Sequence, residues 1–221
     1  MKLAVFDVDG TLVDSREVIL RAAQDAAAEI GLPIPDYDAV RRIVGLSLAE
    51  ALSMLAPDLT PAELADFVAA YQNAFLRMHA TPGFHEPLYA GAEDTLKRLK
   101  REGWTVAMAT GKSRRGVNRW LAREGWADIF TSTHCADDGP GKPHPSMVLE
   151  AMKAAGIGPE RTVMIGDTSH DMLMAIAAKV RPQGVGWGFH TAEEVLASGA
   201  AHVAVDYPDL DAQLDKFAKG F

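Results

Sequence analysis

The chain reads as an α/β protein in which a mainly parallel sheet is covered by helices on both faces and interrupted near its start by a helical insertion. Two observations predict this. Short apolar runs of strand type recur at Leu3–Phe6, Trp104–Ala109, Thr162–Ile165, Gln183–Val185 and His202–Val205, and helix-type patterns separate most of them. Short buried strands that alternate with helices favour a parallel sheet. The stretch from Asp14 to His85, by contrast, holds about 70 residues rich in Ala and Leu with no convincing strand.

Each element follows in order. The first strand, Leu3–Phe6, stops at Asp7. Val18, Ile19, Ala22, Ala23, Ala26 and Ile30 keep a helical period, and Gly31 and Pro33 end it. Gly45 and the Pro57–Thr60 segment read as turns. Thr60-Pro61-Ala62-Glu63 is a capping box with proline at the first helical position, which starts a later helix. The Pro82–Gly91 segment returns the chain to the sheet. The expected organisation is a core made of residues 1–14 and 86–221, with a module of about four helices over 15–85. No internal repeat or low-complexity tract appears.

Composition narrows the function. Twenty-two Lys and Arg against 30 Asp and Glu give a net charge of −8. That balance removes the general reason to expect nucleic acid or a membrane surface as partner. A single cysteine, Cys135, permits no internal disulfide. No uncharged apolar stretch approaches the roughly 18 residues of a spanning helix. The apolar start is cut off by Asp7 and Asp9, too soon for a signal-peptide core. A soluble cytoplasmic protein is the expectation.

The first strand runs into Asp7-Val8-Asp9-Gly10-Thr11. In a parallel α/β sheet ligands bind beyond the carboxyl ends of the strands. Two carboxylates one residue apart face opposite ways in an ideal strand, and a turn at Gly10 lets both address one cavity. Three further motifs follow in order. Thr110-Gly111 closes the second apolar strand, Lys142-Pro143-His144-Pro145 is read as starting a helix, and Gly166-Asp167-Thr168-Ser169-His170-Asp171-Met172 follows the strand at Thr162–Ile165.

With these four motifs the chain resembles the haloacid dehalogenase-like hydrolases, a superfamily dominated by phosphatases, over nearly its whole length. The resemblance implies a Rossmann-like core and, for the helical module, a cap over the active site. It assigns Asp7 as nucleophile and metal ligand, and Asp9 as general acid/base that also offers its backbone carbonyl to the metal. It makes Asp167 the third protein ligand, and Thr110, Gly111 and Lys142 the groups that hold the phosphoryl oxygens. Asp171 is expected to hold Lys142 or a metal-bound water. Carboxylate attack on a phosphate ester splits hydrolysis into two easier steps. A ligand set of oxygens without a Cys/His cluster suits Mg²⁺.

Taken singly, Thr110 reads as a helix cap and Lys142 as a solvated lysine, and Asp171 also suits a first-turn acid favoured by the helix dipole. Their joint order is what carries the assignment. Gly111-Lys112-Ser113 matches the end of a phosphate-binding loop, but the glycine needed five positions before Gly111 would fall at Val106, inside a strand. The dehalogenase branch replaces the second aspartate of the opening motif, so Asp9 argues against dehalogenation.

The position of the helical module, the run Asp137–Pro145 and the tail Gly186-Trp187-Gly188-Phe189-His190 resemble the phosphoglycolate phosphatases. Lys179 departs from them, standing where a glycine is usual, which puts the local turn in question. Arg41, Arg42 and Gly45 are the candidate specificity residues of the cap, although two arginines also suit a solvated helix face. The expected activity is Mg²⁺-dependent hydrolysis of a small phosphorylated metabolite, phosphoglycolate first among them. The alternatives are a phosphomutase acting on a sugar phosphate and a non-catalytic binding protein with a relict site.

Overall fold

A computed structural model describes residues 1–220. Its sheet has six strands: β1 (Lys2–Phe6), β2 (Trp104–Thr110), β3 (Ser132–Cys135), β4 (Thr162–Gly166), β5 (Arg181–Val185) and β6 (His202–Ala204). Every pairing is parallel, and the spatial order is β3-β2-β1-β4-β5-β6. The winding therefore proceeds one way through β1, β2 and β3 and the other way through β4, β5 and β6. The switch lies between the carboxyl ends of β1 and β4.

The period-2 alternation of a strand sends successive side chains to opposite faces. On one face Ala4 and Phe6 pack with Val106, Met108, Val163 and Ile165. Leu96 of α5 (Ala92–Arg101), Val117 of α6 (Arg114–Glu124) and Leu210 of α10 (Tyr207–Ala218) cover them. On the other face Leu3 and Val5 pack with Ala107, Ala109 and Met164. Val148 and Ala151 of α7 (Ser146–Ala155) and Met174 of α8 (Ser169–Ala177) cover these. Burial of both faces explains why the strands read as continuous apolar runs. A short helix, α9 (Ala192–Ala197), lies between β5 and β6.

Four helices are inserted after β1: α1 (Arg16–Glu29), α2 (Tyr37–Arg41), α3 (Leu48–Leu55) and α4 (Pro61–His79). They have their own apolar centre, in which Ala26 and Ala27 of α1 meet Leu52, Phe67 and Ala70. The capping box of α4 is formed: Glu63 accepts from the Thr60 backbone N–H at 2.8 Å while Thr60 accepts from that of Glu63. The two connections to the sheet run side by side, because the Asp14 N–H donates to the Pro87 carbonyl at 2.8 Å and the Tyr89 N–H to that of Leu12 at 3.0 Å.

Three local features depart from the sequence reading. Strand β3 (Ser-Thr-His-Cys) was not expected, since it is an edge strand with only Cys135 buried and so has no apolar run to reveal it. The Lys142–Pro145 motif does not start the helix; α7 begins at Ser146. Prolines at 143 and 145 bias Lys142 and His144 away from the helical region. After α8, Lys179 keeps the turn by adopting a left-handed conformation, with φ of 60°. It is the sole non-glycine residue with positive φ among those described. Among the described residues no helix is long and apolar enough to cross a membrane.

Candidate active site

Asp7 follows β1 directly and Asp167 follows β4 directly, so the switch in winding brings both to one point. Asp171 joins them from the first turn of α8. Carboxylate oxygens of the three lie within 4.8 Å of one another, and all three residues are buried. Lys142 reaches in from the segment before α7, fully buried, with Nζ 2.7 Å from Asp7 Oδ1 and 2.6 Å from Asp171 Oδ1.

The surroundings fix these side chains. Thr168 caps α8, and its N–H and hydroxyl donate to Asp171 Oδ2 at 3.0 and 2.7 Å. Asp171 thus spends one oxygen on its own helix and the other on Lys142. Asp167 Oδ1 accepts from the Thr11 hydroxyl at 2.9 Å, and Oδ2 from the Phe189 N–H at 2.8 Å. Gly10, with φ of 79°, is forced twice over, since a Cβ there would also stand 2.2 Å from Asp167 Oδ2.

Burial pushes the Asp7 carboxyl up to about 7 despite the neighbouring Lys142 ammonium, and Asp171 and Asp9 push the same way. Burial likewise lifts Asp167 well above the usual carboxylate range, helped by Asp171 and Asp7. Burial disfavours the charge on Lys142, yet Asp171 and Asp7 outweigh it and raise the pKa of the ammonium. Three carboxylates against one ammonium leave the pocket short of positive charge. Asp7 Oδ2 is buried without a hydrogen-bond partner. An all-oxygen donor set, an unpartnered carboxylate oxygen and an excess of negative charge fit a hard divalent cation.

Asp9 turns the other way. Its Oδ1 lies 2.7 Å from Nζ of Lys112, a residue that enters the sequence reading only through the phosphate-loop match that fails. Lys112 Nζ is also 4.0 Å from Glu86 Oε1 and 5.8 Å from the centre of the Phe75 ring on α4. Glu86 is buried, and its other oxygen faces His79 Nε2 at 3.4 Å and Arg123 at 3.8 Å. Burial raises the Glu86 carboxyl. This second cluster joins the inserted helices to the sheet beside Asp9.

Thr110 is buried at the end of β2, and its Oγ1 accepts from the Lys112 N–H at 3.2 Å. Gly111 allows the loop after α2 to settle on it: a Cβ would stand 2.7 Å from the Leu46 carbonyl oxygen. In the same loop Gly45 faces Thr168 and His170. Arg41 grips Glu194 of α9 with both terminal nitrogens, at 2.7 and 3.1 Å, while Arg42 is largely exposed and pairs with Asp38. The structure thus gathers Asp7, Lys142, Asp167 and Asp171 at one point, sets Asp9 and Thr110 beside Lys112, and spends both arginines on other acids.

Comparison with known proteins agrees with this geometry. A family model described as haloacid dehalogenase-like hydrolase matches residues 4–185. The probable phosphatase IndB of Dickeya dadantii is 35% identical over 198 residues, spanning 89% of this chain and 86% of its own. Phosphoglycolate phosphatase 1 of Pseudomonas aeruginosa is 32% identical over 220 residues, spanning 95% and 78%. Among solved structures, a putative haloacid dehalogenase-like hydrolase from Bacteroides fragilis superposes with a TM-score of 0.86 at 26% identity, covering 95% of this chain and 99% of the other. The chain belongs to the haloacid dehalogenase-like hydrolases.

Proposed function

We propose that this haloacid dehalogenase-like hydrolase is a phosphatase that cleaves small phosphate monoesters through an aspartyl-phosphate on Asp7. The observation that carries the reading is Asp7 itself. It is a buried carboxylate at the switch point of the sheet, with one oxygen on Lys142 and the other without a partner.

The Asp7 carboxylate attacks phosphorus, and the ester oxygen departs with a proton from Asp9. A water that gives its proton back to Asp9 then attacks the same phosphorus, freeing Asp7 and inorganic phosphate. Lys142 holds Asp7 and offsets the charge of the transferring group, while Asp171 holds Lys142. The Thr110 hydroxyl and the Gly111 N–H bind phosphoryl oxygens. A divalent cation, taken here as Mg²⁺, would be held by Asp7, Asp167 and the Asp9 carbonyl, and would relieve the repulsion between carboxylate and phosphate dianion.

The inserted helices serve as a cap, with the Gly45 loop at the rim and Arg41 fastening α2 to α9. Phosphoglycolate is the first substrate to try, in line with the name of the Pseudomonas relative. The single buried cysteine suits a reducing, cytoplasmic setting.

The test is release of inorganic phosphate from a panel of small phosphate esters, with Mg²⁺ and with chelator, beside the nearly isosteric Asp7→Asn variant. Chelator-sensitive release by the wild type alone is expected. Interconversion of sugar-phosphate isomers without release would point to a mutase, and metal binding without turnover to a binding protein.

A further inference from the structure

Lys112 belongs to no motif that survives the sequence reading, and the reaction above does not use it, yet its position is costly. Its side chain is only 10% exposed. A lysine loses much rotamer freedom when fixed in this way. Its ammonium sits against Asp9, the group that hands a proton to the leaving oxygen in the reading above. Glu86 and the face of Phe75 complete its surroundings, and His79 and Arg123 stand behind Glu86. Lys112 is therefore on the leaving-group side of the site, while Lys142 serves the phosphoryl side.

Distance sets what Lys112 could read. A leaving oxygen hydrogen-bonded to Asp9 Oδ1 lies two hydrogen-bond lengths, about 5.5 Å, or less from the ammonium. A carboxylate attached one carbon beyond that oxygen spans roughly 3 Å of this gap, so the ammonium can touch Asp9 and the substrate anion together. A longer leaving group extends toward α4, where Phe75 already borders the ammonium. The buried surroundings strengthen such a contact relative to water.

We propose that Lys112 is a specificity-determining residue that selects short phosphate monoesters bearing a negative charge on the carbon next to the ester carbon, over uncharged analogues of similar size. The proposal rests on the phosphatase reading. Lys112 and Glu86 belong to it jointly, because Glu86 competes with the substrate for the same ammonium.

The experiment compares kcat/KM for phosphoglycolate, which carries the carboxylate, and ethyl phosphate, which does not. The wild type should favour phosphoglycolate at least tenfold. Lys112→Met should cut that preference tenfold or more, chiefly through KM, and Lys112→Arg should restore part of it. Should Lys112→Met fail to fold, Glu86→Gln carries the test in the opposite direction, since it frees the ammonium and should raise the preference several-fold. A preference unchanged in Lys112→Met, with both esters slowed alike, would overturn the proposal and leave Lys112 as a counter-ion for Asp9. An unchanged or lower preference in Glu86→Gln would overturn it too, as would a wild type that does not discriminate. Release of phosphate from neither of these esters nor from any other in the panel above would instead defeat the phosphatase reading itself.

Discussion

The two halves of the site are built differently. The half around Asp7 is made without the inserted helices: Asp7 and Asp167 follow adjacent strands, and Lys142, from the segment before α7, ties Asp7 to Asp171 of α8 at 2.7 and 2.6 Å. The half around Asp9 is assembled between the sheet and the inserted helices, where Asp9, Lys112, Glu86, Phe75 and His79 meet at 2.7 to 5.8 Å. The first half is buried, charge-rich and short of cations. The second is more evenly charged and depends on how the helices sit. In the reaction proposed above the first half holds the nucleophile and the cation, whereas the proton donor Asp9 stands on the half that an insertion can reshape, where substrate choice is expected.

The sharpest way to break this contrast is to remove the cation that the first half does have. Lys142→Met should lower kcat by a thousandfold or more, and it should destabilise the metal-free protein by about 3–5 kcal/mol, because it leaves buried carboxylates without their partner. A modest loss of kcat, checked by steady-state kinetics beside a denaturant titration, would show that the interlocked acids do not need the lysine.

A smaller effect concerns pH. Asp7 is raised from 3.8 to about 7 and Asp167 is also raised, both chiefly by burial. Between the unfolded and folded values the native protein holds protons that the unfolded chain has lost. The stability these groups lend is therefore complete below about pH 4 and drains away as the pH climbs toward 7. Metal ligands must be deprotonated, so a bound cation reverses the trend. Thermal melts should show Mg²⁺ raising Tm more at pH 8 than at pH 5. An equal shift at both values would remove this account of the acids.

The smallest change lies outside both halves and serves as a control. Lys179 carries a left-handed φ that costs an L-residue roughly 1–2 kcal/mol, of which a glycine's greater loss of freedom takes back about half. Lys179→Gly should stabilise the fold by about 1 kcal/mol and raise Tm by roughly 2–4 °C, with kcat and KM unaltered. Loss of stability would mean that Lys179 makes contacts worth more than its strain.

The same contrast explains what could be read from the residues alone. Asp7, Thr110, Lys142 and Asp167 stand at strand ends or in loops fixed by local chain geometry, where residue type and order suffice to find them. Sheet and insertion were equally visible, because both leave a strong apolar period. Lys112 was hidden because its meaning comes from Asp9, Glu86 and Phe75, residues 26 to 103 positions away. Glu86 lies in the Pro82–Gly91 return segment and belongs to no motif. Strand β3 escaped because an edge strand need bury little. The role of the Phe189 N–H could not be seen at all, since a backbone donor leaves no trace in residue type. Arg41 and Arg42 were marked by their charge, but charge alone did not reveal that Glu194 and Asp38 already hold them.

Trapping shows whether Asp7 becomes phosphorylated. Enzyme quenched during turnover and reduced with borohydride should yield homoserine at position 7 by peptide mass spectrometry, only with substrate present and not in Asp7→Asn. Homoserine at position 9 or 167, or steady phosphate release with no aspartate reduced, would exclude Asp7 as the nucleophile.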